Sequence, residues 1–174
     1  MLFEVPYTYL PQQFAPDAAL PEAILSDIRN ELHECQFTLG KWVERFEEAF
    51  AAYCGVHYAV GVNSGTDALK IAYRVYDISP MFTLTVPVNT FVATAGAAAE
   101  LGVTLQFCDV GADYLYQYSN PVQPAIFVPV DLAGNPCPKD NYGVRDACQA
   151  VGATISGVPI ARRSRLTCFS LHPL

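Results

Sequence analysis

Several short stretches of this sequence carry side chains that could do chemistry around one ligand. Asn63, Ser64, Gly65, Thr66, Asp67, Ala68 and Leu69 follow a β-prone run and open a helix-like one. At such a junction the first backbone N–H groups have no intrahelical partner and the helix dipole favours an anion, so a phosphate fits. Gly65 permits close backbone approach, and the hydroxyls of Ser64 or Thr66 can donate to phosphate oxygens. An ordinary N-cap with no ligand would use the same residues. Phe91 follows a strand-like run and starts a helix-like one; an aromatic there can stack on a planar ring, or simply fill a core. Asp146 lies where a strand runs out into small residues. A carboxylate at that place can pair with a protonated ring nitrogen, and Gln149, three positions on, could reach the same ligand. A capping Asp and a hydrogen-bonded Gln are the plainer alternative. Ser170 and His172 alternate along the last strand-like run, which would point them to one side. Each has a plain reading too, as a sheet-edge hydroxyl and a structural histidine. Arg162, Arg163 and Arg165 form the one basic cluster, either a solvated turn or a diphosphate contact.

The elements that must position these residues follow from the apolar spacing. Pro21 to Glu34 reads as a helix through Ile24, Ile28 and Leu32, with Pro21 suited to the first turn. Lys41 to Tyr53 reads as a second, with Trp42, Val43, Phe46, Phe50 and Ala51 on one stripe and Glu44, Glu47 and Glu48 mostly off it. Tyr58 to Val62 is a short strand expectation, and Asp67 to Val75 a helix. Leu84 to Val86 and Val103 to Phe107 are strands separated by an alanine-rich helix from Thr90 to Glu100. Ala125 to Val130, Gly143 to Arg145 and Leu166 to Phe169 continue the alternation, which favours an α/β fold with a mostly parallel sheet covered by helices on both faces. Gly111 to Pro124 and Asn135 to Tyr142, rich in Gly, Pro, Asn and Asp, are the expected low-order parts.

Composition narrows the function. With 174 residues, 52% hydrophobic and 16% charged, the chain can bury a real core. No apolar run reaches the roughly 18 residues of a spanning helix, so no membrane partner is expected. The opening Leu2, Phe3, Glu4 and Val5 lack a basic segment followed by a long apolar run, so a secretory leader is not expected. Ten basic against seventeen acidic side chains give a formal charge of −7, which disfavours nucleic acid. The six cysteines are scattered without a CxxC pair, as reduced thiols in a cytoplasm would be. The three histidines supply no metal-ligand spacing, so no metal is expected.

The order and spacing of these segments resemble those of the DegT/DnrJ/EryC1/StrS sugar aminotransferases over nearly the whole chain. The likeness begins at Phe37, Thr38, Leu39 and Gly40, and runs through Ala59 to Leu69, Thr90 to Thr94 and Asp146 to Ala153. Phe169, Ser170, Leu171, His172 and Pro173 are similar to that family's FSFHPxK segment. The resemblance implies the pyridoxal 5'-phosphate (PLP) transferase fold type I, with residues 1–174 as the N-terminal segment and most of the large domain, and with the small C-terminal domain outside it. It also implies that Gly65, Thr66 and Ser170 hold the cofactor phosphate, Phe91 stacks on the ring, Asp146 pairs with the pyridine nitrogen and Gln149 contacts the phenolic oxygen. The family's Schiff-base lysine is expected just after Leu174, and none of Lys41, Lys70 and Lys139 takes its place.

The activity so implied moves an amino group, usually from glutamate, to a keto group of a nucleotide-linked sugar, in a homodimeric cytoplasmic enzyme. The His172-Pro173 pair leans toward amination at the sugar's C4. Two alternatives share every residue to Leu174: a ketosugar dehydratase with histidine at the lysine position, and an inert fragment lacking the lysine. The chain departs from the family's GPGDEV turn, reading Ser79, Pro80, Met81, Phe82, Thr83, Leu84, and carries Ala161 to Arg165 where the family is commonly uncharged and glycine-containing.

Overall fold

The structure is a computed structural model that describes residue 17 and residues 19–35, 37–116, 125–140 and 143–172. The chain divides into two units, one of Met1–Phe46 with His172–Leu174 and the other of Glu47–Leu171. In the first, helix α1 (Ala19–Glu34) begins where the Asp17 side chain accepts from the Ala19 N–H at 2.9 Å, and buries none of its residues. Lys41 forms an ion pair with Glu34, and the guanidinium of Arg45 lies 4.8 Å from the Trp42 ring centre.

The second unit holds the sheet. Helix α2 (Lys41–Cys54) ends in it, burying Ala51 and Cys54 and setting Phe50 edge-on to Phe169 at 5.4 Å. Helix α3 (Gly65–Val75) leads to strand β1 (Thr83–Pro87), all five residues of which are buried, as a strand covered on both faces requires. Helix α4 (Val92–Ala99) and strand β2 (Thr104–Cys108) follow, then β3 (Ala125–Phe127), β4 (Val144–Asp146), the hairpin β5 (Thr154–Ile155) and β6 (Val158–Pro159), and β7 (Leu166–Cys168). β1 pairs in parallel with β2 and β3, and β4 in parallel with β7. A parallel bridge between Val130 and Asp146 carries the order on from β3 to β4, with Asp131 N–H donating to the Asp146 carbonyl and Asp146 N–H to that of Pro129, both at 2.9 Å. The strand succession is therefore β2, β1, β3, β4, β7. Leu69, Ala72 and Tyr73 of α3 and Ala95, Ala97 and Ala98 of α4 close over Leu84, Val86, Val128, Val144 and Cys168 in one core. The small α4 side chains let that helix lie close on the strands. Among the described residues no helix is long and apolar enough to cross a membrane.

Two expectations need correction. Tyr58 to Val62 forms no strand: Tyr58 is 87% and Val60 78% exposed, and the segment is held instead by the Gly61 N–H donating to Glu47 at 2.6 Å. β-prone side chains make a strand only where a neighbour takes up the backbone hydrogen bonds, and no described strand pairs here. The described parts of the two expected low-order stretches hold no helix or strand, though several of their residues are tied down. Val110 bridges Tyr116, whose ring stacks on Phe127 at 3.9 Å, and Cys137 is buried because its N–H and carbonyl both bond to buried side chains. Residues 117–124 and 141–142 of those stretches lie outside the described residues. Finally, β7 stops at Cys168, so no strand alternation imposes a common direction on Ser170 and His172.

Candidate functional site

The amino end of α3 is built from three chain segments. Ser64 is its N-cap, accepting from the Asp67 N–H at 3.1 Å, and Asn63 donates to the Asp67 carboxylate at 3.0 Å. The plain capping role is thus real for Ser64. The N–H groups of Gly65 and Thr66 have no partner among the described residues, as expected in a first turn. What sets this turn apart is crowding: a Cβ on Gly65 would stand 2.8 Å from Cys148 Sγ and 3.1 Å from Ser170 Cβ. Glycine is required by approach rather than by dihedral angle, and its contact draws Ser170 to the helix start. Gly65→Ala is expected to destabilise the chain by about 1–3 kcal/mol, the usual effect of overpacking. The urea midpoint would show it, and adding Cys148→Ala should recover part of the loss; an unchanged midpoint in Gly65→Ala would contradict this packing.

Asp146 ends β4 with 5% of its surface exposed. Its Oδ2 accepts from the Thr94 hydroxyl at 2.6 Å and its Oδ1 from the Cys148 N–H at 3.1 Å. Among the described residues no cation pairs with it. The nearest arginine in sequence, Arg145, points to the opposite face, where it donates to Asp131 Oδ1 at 2.7 Å and to the carbonyls of Cys137 and Lys139. A buried carboxylate that lacks a counter-charge is costly unless a cationic ligand supplies one. Burial first, then the Asp146 carboxylate, raises the neighbouring thiols: Cys168 is pushed up to about 12, and Cys148 also stays protonated. Neither thiol therefore adds a negative charge beside Asp146, and the acid in the first turn of the helix is Asp67. Tyr73 is held well above its ordinary value for the same reasons, burial foremost, and remains a donor to the Thr94 carbonyl at 3.0 Å.

The sequence matches the model of the DegT/DnrJ/EryC1/StrS aminotransferase family over residues 19–174. The chain belongs to this family. It is 34% identical to a UDP-N-acetyl-3-dehydro-alpha-D-glucosamine 3-aminotransferase of Acidithiobacillus ferrooxidans, across 97% of this chain and 49% of the relative. Identity is 35% to a dTDP-3-amino-3,4,6-trideoxy-alpha-D-glucose transaminase of Streptomyces venezuelae, across 84% and 43%. The crystal structure of S. venezuelae DesV in complex with a ketimine intermediate superposes with a TM-score of 0.83 at 30% identity, covering 99% of this chain and 50% of that one. The fold is that of the type I PLP-dependent aminotransferases, and this chain spans about half the length of the relatives it matches.

Within this DegT/DnrJ/EryC1/StrS chain, Gly65 abuts both Ser170 and Cys148, the Cys148 N–H donates to Asp146, and Thr66 lies half-buried in the same first turn as Gly65. Phe91 is the N-cap of α4, 63% exposed rather than part of the core, and its carbonyl accepts from the Thr94 N–H at 3.1 Å, one turn before the Asp146 contact. Gln149 is exposed at the end of the loop after β4; its Oε1 accepts from the Ala133 N–H at 2.8 Å, which leaves its Nε2 to donate. His172 is exposed, and of the arginine cluster Arg163 pairs with Asp140 while Arg162 and Arg165 are exposed. Sequence reasoning missed Thr94, Cys148 and the Asp131–Arg145 pair. A charge at Arg145 between Val144 and the small residues that follow Asp146, in a segment expected to be a buried strand, was the one available signal, since a buried arginine demands a buried acid.

Proposed function

We propose that the complete protein is a PLP-dependent aminotransferase that carries an amino group from an amino acid, glutamate foremost, to a keto group of a nucleotide-linked sugar. The observation that carries the reading is Asp146, a buried carboxylate that pairs with no cation among the described residues, with the unpartnered Gly65 and Thr66 N–H groups of the helix start close to its neighbour Cys148. Bound PLP supplies an electron-withdrawing ring that lets an amino group leave one carbon and join another. In this reading Asp146 keeps the ring nitrogen protonated, Gly65, Thr66 and Ser170 hold the phosphate, Phe91 covers the ring face, and Gln149 Nε2 donates to the phenolic oxygen. The chain forms the N-terminal segment and most of the large domain of a cytoplasmic homodimer. Exposed Val88, Phe91 and Val92 at the start of α4 are apolar surface of the kind a second subunit would cover.

Incubating the complete protein with PLP and glutamate is expected to yield 2-oxoglutarate and pyridoxamine phosphate in equal amounts. Adding a nucleotide-linked keto sugar should then return PLP and an amino sugar. Failure to form pyridoxamine phosphate and the matching 2-oxo acid with every amino donor would overturn the proposal.

A further inference from the structure

We infer that Thr94 is a positioning residue for the ring-nitrogen contact, its hydroxyl holding negative charge on Asp146 so that a proton shared with a bound pyridine ring stays on the ring. The inference rests on the PLP reading and deepens it. Thr94 is fully buried in the first turn of α4, and its single hydroxyl proton goes to Asp146 Oδ2 at 2.6 Å. That assignment fixes the direction of the next contact: Thr90 Oγ1, 2.6 Å from Thr94 Oγ1, must donate to it. The result is a relay from half-buried Thr90 through Thr94 to the carboxylate, with the Cys148 N–H donating to the other oxygen. Each carboxylate oxygen keeps a lone pair for a further donor. Hydrogen bonds of this charge-assisted kind stabilise the ionised acid and lower its basicity. Tyr73, fully buried, secures the placement by donating to the Thr94 carbonyl. No other hydroxyl reaches Asp146 among the described residues, so loss of Thr94 Oγ1 removes the hydroxyl donor to Oδ2 and leaves only the weaker Cys148 thiol and N–H at the carboxylate. The carboxylate then becomes the better base, and the shared proton moves toward it and off the ring. No atom is gained or lost in that shift.

The test uses the complete protein and pyridoxamine phosphate labelled with nitrogen-15 in the ring, read by NMR alongside a binding titration. Wild type is expected to show a pyridinium-like ring nitrogen. In Thr94→Val the resonance should move part of the way to the neutral-pyridine position and affinity should fall about tenfold, the weight of one charge-assisted hydrogen bond. Thr94→Ser should restore both. Tyr73→Phe, which removes a buried bond to the same turn without touching the carboxylate, should lower the melting temperature and leave the resonance in place. An unmoved resonance in folded Thr94→Val, with affinity lost only in step with melting temperature, overturns the inference and leaves the PLP reading standing. Should Thr94→Val not fold, Thr90→Val carries the test, with a smaller shift of the same sign expected and no shift overturning the inference. A wild type that does not bind the ligand, or binds it with an unprotonated ring nitrogen, overturns both the PLP reading and this inference.

Discussion

Asp146→Asn is expected to weaken pyridoxamine phosphate binding by about 100-fold while leaving the ligand-free protein at least as stable as wild type. The two effects have opposite signs because the carboxylate is buried and pairs with no cation among the described residues, so that on the proposed reading only a ligand supplies one. Removing one member of a buried, hydrogen-bonded charge pair costs about 2–5 kcal/mol in binding, and each 1.4 kcal/mol is roughly tenfold. In the free protein the same change relieves an uncompensated charge, and the Asn oxygen can still accept from Thr94 or from the Cys148 N–H. Calorimetric titration and thermal melting with and without ligand would check both halves. A structural acid with no ligand would reverse the pattern: ligand-free melting would drop and affinity would hardly change.

Arg145→Met is expected to destabilise the protein by about 3–5 kcal/mol, and the double variant Arg145→Met with Asp131→Leu to recover most of that loss. Both side chains are fully buried, and the pair lies on the sheet face opposite the Asp146 carboxylate. Breaking such a pair from one side strands a charge, whereas replacing both with apolar groups does not. Burial, the largest influence, raises the Asp131 carboxyl above its ordinary value against the opposing pull of Arg145. Its own stabilising contribution is therefore full below its unfolded value and declines as pH rises through the higher folded one, the reverse of an ordinary paired surface carboxylate. The pair thus serves geometry more than stability: it gathers the 131–140 loop, whose Ala133 N–H orients Gln149. Urea unfolding of the two singles and the double would decide. Equal losses in all three would show that the arginine acts through packing rather than charge.

Local chemistry made much of this fold legible. Ser64 before Gly65 announces a helix start, the alanines after Phe91 announce a helix that can lie close on a sheet, and the alternation of runs announces parallel strands. Each of these depends on neighbours within a turn or two, which a sequence displays directly. The resemblance to the DegT/DnrJ/EryC1/StrS family likewise rested on order and spacing along one chain. Tyr58 to Val62 marks the limit of such reading, because strand propensity carries no record of whether a partner strand is at hand.

What the sequence by itself determined was the helix start at Gly65 and the buried strand end at Asp146, the glycine and the acid that are proposed to surround a ring and its phosphate. Tertiary structure alone decided that Thr94, distant in sequence, supplies the donor to Asp146, that Cys148 and Ser170 close on Gly65, and that Arg145 is spent on Asp131 and so leaves Asp146 uncompensated. The reason is physical. Which buried polar group satisfies which is settled where strands and helices meet across the sheet, and a buried charge is defined by what fails to reach it as much as by what does.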